Sequence, residues 1–230
     1  VTKRYGKLKV IDDISFKVGK GEVVALLGPN GAGKTTALKC ILGLVRFKGS
    51  ILVDGFDVKR KGKEVRRRVA YVPQQFSLYN NISVTNNMKF YADIKGVNGE
   101  NVKTNLAKAN LEDFAKKRAG DLSEGLRQRL LLAIALLADS PILLFDEPTS
   151  NLDLKSVLEF KEVIKSQVEN GKTILLSTPL LSDVNEIASK VVLINQGRLL
   201  FRGNARHLSL NSGFRFSRKA FVPSRTSSVE

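Results

Sequence analysis

Five apolar residues, VVALL at 23–27, run without interruption into GPNGAGKTT at 28–36. No other stretch narrows the fold as much. A continuous apolar run, rather than an alternating one, suits a strand covered on both faces, as in a parallel sheet sandwiched by helices. The glycines that follow let backbone N–H groups converge on a bound anion, and the helix opening at the end of the loop adds its positive dipole end. The spacing fits G-x-x-x-x-G-K-[ST] with Gly28, Gly33, Lys34 and Thr35. In that pattern the lysine neutralises the β and γ phosphates of a nucleotide, and the hydroxyl can hold Mg²⁺. The candidate binding residues are therefore Gly28, Pro29, Asn30, Gly31, Ala32, Gly33, Lys34, Thr35 and Thr36.

Further apolar runs repeat the strand pattern at Ile142–Phe145, Ile174–Leu176 and Val191–Ile194. Helical patterns lie between them. Thr35–Leu44 follows the glycine loop, and Leu154–Val168 carries apolar residues at 154, 157, 158, 164 and 168, with Gly171 as its stop. Strands alternating with helices predict an α/β fold. NQG at 195–197 reads as a hairpin turn into an edge strand, Arg198–Arg202. Between about 83 and 139 only helical patterns occur, which predicts an all-helical insertion. Residues 204–230, rich in Ser and Arg with three Phe, fit a docked tail or a small hairpin. There is no internal repeat.

A phosphate loop with Mg²⁺ needs a carboxylate at a neighbouring strand end. ILLFDEP, 142–148, supplies it. The strand delivers Asp146 to the carboxyl edge of the sheet, where ligands bind in such folds. Asp146 is the candidate metal residue, directly or through water. Glu147 is then placed to polarise an attacking water.

The chain has 230 residues, 43% of them hydrophobic, enough for one large domain or a core with a satellite. Its single cysteine, Cys40, excludes an internal disulfide and is expected to be a small core residue. The longest apolar run, Leu130–Ala138, is nine residues, against about 20 for a membrane span. No secretory signal is visible, and the opening Val1 suggests a start that is processed, trimmed or partly unseen. Net charge is +16. The densest basic cluster, KRKGKEVRRR at 59–68, is expected to form a solvated face. His207, the only histidine, is expected at the surface.

LSEGLRQRL, 122–130, lies just before the Asp146–Glu147 strand and closely resembles the LSGGQ signature of ABC-type ATPases. Tyr5, in RYG, resembles the aromatic that stacks on adenine. Gln74, in AYVPQQ, resembles the Q-loop glutamine that touches Mg²⁺ and the attacking water. SNLD, 150–153, resembles the D-loop with Asp153. The resemblance covers about residues 1 to 203. It implies a P-loop NTPase, RecA-like α/β core with a mixed, mainly parallel sheet, an antiparallel β subdomain and an all-helical signature subdomain. One domain of 1–230 would divide into a catalytic core at 1–74 and 140–203, a helical subdomain at about 75–139, and a tail at 204–230. It implies ATP and Mg²⁺ as cofactors, Glu147 and Gln74 as catalytic residues, and Thr35, Gln74 and Asp146 around the metal. Ser123 would cap a helix beginning near Glu124; with the Gly125 backbone it would form a second anion site. That site would serve a partner, because two subunits of the family face head to tail around each ATP, as a homodimer or a heterodimer. Segment 75–95 would contact an integral membrane subunit, holding the chain on the cytoplasmic face of the membrane. The expected function is to power a transporter, with an exporter favoured. Alternatives are a soluble ABC ATPase in DNA repair, translation or cofactor assembly, or a nucleotide-binding subunit with weak hydrolysis. Only 85 residues lie between Thr36 and Leu122, too few for the long coiled-coil arm of repair types, and nucleic acid is the less favoured partner.

The sequence departs from the family at three places. The signature carries Glu124 for its third residue and Leu126 for its fifth. After the strand at 174–178 the family usually places a switch histidine that hydrogen-bonds the γ-phosphate; here Pro179 stands, which has no donor. Ser177, Thr178 or Ser182 could substitute in part. Pro179 leaves three readings: a slow enzyme, a partner bearing the full site, or an altered residue.

Overall fold

The computed structural model describes residues 1–150, 152–210, 214–217 and 220–223. An antiparallel hairpin, β1 (Lys3–Tyr5) and β2 (Leu8–Ile11), opens the chain. The apolar run forms β3 (Val23–Leu27), and the glycine loop leads into α1 (Lys34–Ile41). A short hairpin, β4 (Leu52–Val53) with β5 (Phe56–Asp57), precedes α2 (Gly62–Arg68) and β6 (Val69–Val72). Then come α3 (Val84–Lys95), α4 (Glu100–Lys108), two single 3₁₀ turns and α5 (Glu124–Leu136). The chain returns through β7 (Ile142–Asp146), α6 (Leu154–Glu169), β8 (Thr173–Thr178), α7 (Leu181–Ile187), β9 (Lys190–Asn195) and β10 (Arg198–Asn204). It ends in α8 (Ala205–Leu210) and an antiparallel pair, β11 (Phe214–Ser217) and β12 (Ala220–Pro223). Of the tail at 204–230, residues 211–213, 218–219 and 224–230 lie outside the described ones.

The main sheet has six strands in the order β10-β9-β3-β8-β7-β6, all parallel except β10. Side chains alternate between its faces with period two. Val23, Ala25 and Leu27 of β3 join Leu143 and Phe145 of β7, Ile174 and Leu176 of β8, and Phe160 and Ile164 of α6 in one core. Val24 and Leu26 join Leu144, Leu175 and, from α1, Ala37 and Leu38 in the core on the other face. This is why the runs are continuously apolar: both faces are dry. Phe145 meets Phe160 edge to face at 5.4 Å.

The helical segment builds a third core of its own, including Val84, Met88, Leu106, Leu111 and Leu122. Helix α5 belongs to two cores at once. Leu132 and Ala135 pack into the sheet core, while Leu130, Ala133 and Ile134 pack into the helical one. A helix buried all round needs apolar residues all round, and LLLAIALLA supplies them.

Strand β6, VAYV, is absent from the sequence-based strand set. It is only four residues long and follows directly on the basic cluster, so charge masks it. The cluster itself forms α2, with Val65 buried beneath exposed basic side chains. Cys40 is buried and His207 exposed. The NQG hairpin joins β9 to β10 with both Gln196 and Gly197 at positive φ, the geometry of a tight hairpin turn. The Gly197 N–H donates to Ala32 O (3.0 Å), so this turn also braces the glycine loop.

Candidate active site

The loop begins where β3 ends. The Gly28 N–H donates to Thr178 O of β8 (3.2 Å), tying the loop to the neighbouring strand. Ala32 N–H closes a turn onto Pro29 O (3.1 Å). Gly33 sits at φ 103, and a Cβ there would lie 2.7 Å from Val10 O of β2, so only glycine fits. Asn30 and Gly31 are exposed, and Thr36 is half-buried on the first turn of α1.

Lys34 turns inward. Its ammonium donates to Gly28 O (2.8 Å) and Pro29 O (3.0 Å) and pairs with Glu147 Oε1 (3.0 Å). Glu147 sits at φ 50, a left-handed conformation that costs a non-glycine residue about 1 kcal/mol or more. Its N–H donates to both O (3.1 Å) and Oγ (3.0 Å) of Ser177. Its other carboxylate oxygen, Oε2, accepts from Gln74 Nε2 (3.0 Å) and Ser150 Oγ (3.4 Å). One carboxylate thus faces a cation, an amide and a hydroxyl.

Asp146, fully buried at the end of β7, accepts from Thr35 Oγ1 (3.1 Å) and Ser177 Oγ (2.6 Å) at Oδ1, and from Tyr71 OH (3.4 Å) at Oδ2. Burial, aided by the Asp146 carboxylate, pushes the Tyr71 phenol well above its ordinary pKa, so it stays a donor. The Thr35 hydroxyl and Asp146 carboxylate are hard oxygen ligands converging at the carboxyl end of the sheet, a donor set that fits Mg²⁺. Among the described residues no group of three or more His, Cys, Asp or Glu could hold a metal. A site of this kind is completed by phosphate and water oxygens, as Mg²⁺ usually is.

Residues 11–150 match the ABC transporter family. The chain belongs to that family. It is 35% identical over 202 residues to the ABC transporter ATP-binding protein NatA of Bacillus subtilis, covering 85% of this chain and 82% of NatA. It is 35% identical over 217 residues to YbhF of Escherichia coli, a probable multidrug ABC transporter ATP-binding protein, covering 92% of this chain but 37% of YbhF. A dimeric ATP-binding cassette in a post-hydrolysis state, bound to ADP and Pi, superposes with a TM-score of 0.78 at 25% identity, over 89% of this chain and 95% of that one. A bacterial Atm1-family ABC exporter with ATP bound gives 0.82 at 27% identity, over 93% of this chain and 39% of that one.

The remaining ABC motifs are held by other elements, except that Ser150 of SNLD reaches Glu147. Ser123 caps α5, its Oγ accepting from Leu126 N–H (3.4 Å). Glu124 is exposed. Gly125 packs so closely on α6 that an added Cβ would stand 2.2 Å from Ser156 Oγ. Asp153 caps α6 by accepting from Ser156 N–H (2.7 Å), which holds its carboxyl below the usual range. Asn151 of the D-loop stretch lies outside the described residues. Tyr5 is 46% exposed, next to the turn of the first hairpin, with the Lys3 ammonium 4.2 Å from its ring centre. The same hairpin reaches the loop through Val10.

Pro179 is half-buried just beyond β8. Of the three hydroxyls considered as substitutes for a histidine, that of Ser177 is engaged with Asp146 and Glu147, and that of Thr178 accepts from Leu180 N–H (3.0 Å). Ser182 is exposed on α7. The sequence reading did not anticipate the contacts of Tyr71 and Ser150, nor that Ser177 faces Asp146. The Tyr71 and Ser177 contacts depend on strand order and register, which local sequence does not reveal; the Ser150 contact is set by the turn that brings it back onto Glu147, three residues earlier.

Proposed function

We propose that this chain is the ATP-hydrolysing subunit of a membrane exporter. The convergence of Lys34, Thr35, Asp146, Glu147 and Gln74 at the carboxyl end of three strands carries the reading. Lys34 and the loop amides bind the β and γ phosphates. Thr35, Asp146 and Gln74 would hold Mg²⁺, which would supply charge neutralisation. Glu147, oriented by Gln74 and Ser150, accepts a proton from the attacking water. Tyr5 stacks on the base.

Residues 1–230 act as one cassette, with core 1–74 and 140–203, helical unit 75–139 and tail 204–230. Ser123 and Gly125 serve the ATP of a second cassette in a head-to-tail homodimer or heterodimer; the dimeric form of a structural neighbour supports this. Among the described residues no helix is long and apolar enough to cross a membrane. In this reading the pathway belongs to integral membrane subunits, and the chain works at their cytoplasmic face. Segment 75–95 is their docking surface. It carries an aromatic cluster, Phe76, Tyr79, Phe90 and Tyr91, beside Ile94, which is 65% exposed. Export rests on names: a probable multidrug protein and a Nod factor export protein of Burkholderia thailandensis are among the relatives.

The experiment is Glu147→Gln in the full chain. Turnover should fall by about 10²- to 10⁴-fold, the usual contribution of a general base, and ATP should trap a dimer visible by size exclusion. A monomer with ATP would overturn the head-to-tail assembly. A second reading, a weakly hydrolysing subunit, is favoured by Pro179, since the two hydroxyls before it are already engaged.

A further inference from the structure

Ser177 is fully buried on β8, directly opposite Asp146 of β7 in the strand register. A serine hydroxyl has one proton to give and lone pairs to accept with. Here the proton goes to Asp146 Oδ1 (2.6 Å), and the oxygen accepts the Glu147 N–H (3.0 Å). One oxygen atom therefore bonds to two consecutive residues with different tasks. The bond to Asp146 leaves Oδ2 to Tyr71 and sets how Oδ1 is shared with the Thr35 hydroxyl. The bond to Glu147 helps hold a non-glycine residue at φ 50.

We propose that Ser177 is a positioning residue for ATP hydrolysis, a buried strut that fixes the metal-binding carboxylate of Asp146 relative to the water-activating carboxylate of Glu147. It touches neither nucleotide nor water. The inference rests on the roles given above to Asp146 and Glu147. Its physical content is specific. Without the hydroxyl, Asp146 loses a buried donor and its carboxylate can rotate. Glu147 keeps only the weaker half of its shared bond, to Ser177 O (3.1 Å). Neither loss touches the Lys34 bonds to Gly28 O and Pro29 O, so phosphate binding should persist. Outer groups that orient metal ligands typically change metal affinity or activity by about 10- to 100-fold when removed.

The test uses the full chain with Ser177→Ala, Ser177→Thr and Ser177→Cys, and with Asp146→Asn and Glu147→Gln as references. Two functional quantities are read, with melting temperature as the measure of stability. The first is steady-state ATPase as kcat and KM. The second is ATP affinity measured in EDTA and again with Mn²⁺, followed by the Mn²⁺ resonance. For Ser177→Ala, kcat should fall about 10- to 100-fold with KM changed less than about threefold, and the Mn²⁺-dependent gain in affinity should shrink by about tenfold. Affinity in EDTA should hold. Ser177→Thr, which keeps the hydroxyl, should recover most of both quantities. Ser177→Cys, similar in size but a weak donor, should resemble Ala. A serine that merely filled space would lower melting temperature but leave the Mn²⁺ gain intact, and Cys would rescue it; that pattern overturns the proposal. So does wild-type behaviour of Ser177→Ala alongside inactive Asp146→Asn and Glu147→Gln. If those two reference variants keep full turnover, the roles of Asp146 and Glu147 are wrong and the proposal falls with them. The Mn²⁺ measurement decides the matter even where turnover is slow.

Discussion

Replacing Pro179 with histidine tests whether this cassette lacks one polar contact to its substrate. Pro179 is half-buried, directly after the last residue of β8, whose neighbours in the sheet are β3 and β7. Those two strands carry the phosphate loop and the Asp146–Glu147 pair, so a donor here lies at the mouth of the site. A hydrogen bond to a charged group contributes about 1.5–3 kcal/mol, which is about a 10- to 150-fold rate gain if realised only in the transition state. Glu147 is already held by Gln74 and Ser150, so part of that gain is in place, and the lower figure is expected. The cost in stability is small. The Thr178 Oγ1 bond to Leu180 N–H does not involve residue 179, and removing a compatible proline costs about 0.4–1 kcal/mol through the unfolded chain. Pro179→His should therefore raise kcat by about tenfold with little change in KM, measured by steady-state phosphate release. Pro179→Ala controls for loss of the ring and should leave the rate unchanged. An equal rise in both variants, or none in Pro179→His, would refute the missing-donor argument.

Two further outcomes are expected. Lys34→Ala should weaken ATP binding by at least about tenfold, because each charge-assisted hydrogen bond contributes about 1.5–3 kcal/mol; unchanged affinity in equilibrium dialysis would remove the phosphate-loop assignment. Glu22, beside β3, is hydrogen-bonded by Lys190 of β9 and by the Gly19 N–H, and both hold its carboxyl below the usual range. A depressed carboxyl stabilises the fold above its unfolded pKa, and the contribution is lost as pH falls through the lower folded value. Melting temperature should accordingly drop more steeply below about pH 4.5 in the wild type than in Glu22→Gln; parallel acid profiles would show that the pair contributes nothing.

What could be read from sequence was whatever is local along the chain. The β3–loop–α1 unit combines an apolar run, fixed glycines and a helix start within 20 residues of one another, so strand, ligand and carboxyl-edge placement follow together. Ser123 as the cap of α5 was legible for the same reason. Elements defined by partners were not. Strand β6 is four residues long and takes its identity from pairing with β7. Hairpin β4–β5 has only two residues per strand. Tyr71 and Ser150 lie within AYVPQQ and SNLD, but those stretches mark Gln74 and Asp153; one reaches Asp146 from an adjacent strand and the other folds back from a turn.

The central strand order has a consequence for how such a chain tolerates change. Asp146 and Ser177 are partners in the β7–β8 ladder, and Leu27 faces Thr178 across β3–β8. The sheet therefore acts as a vernier, aligning three loops that are far apart in sequence. A slip of β8 by one residue would set Leu176 or Thr178 against Asp146 and turn every β8 side chain to the opposite face. Residues can be gained or lost in the turn after α6, which carries none of the site residues, with less harm, provided the ladder keeps its count; a single residue added within β8 itself would dismantle the reaction centre while leaving each of its residues present.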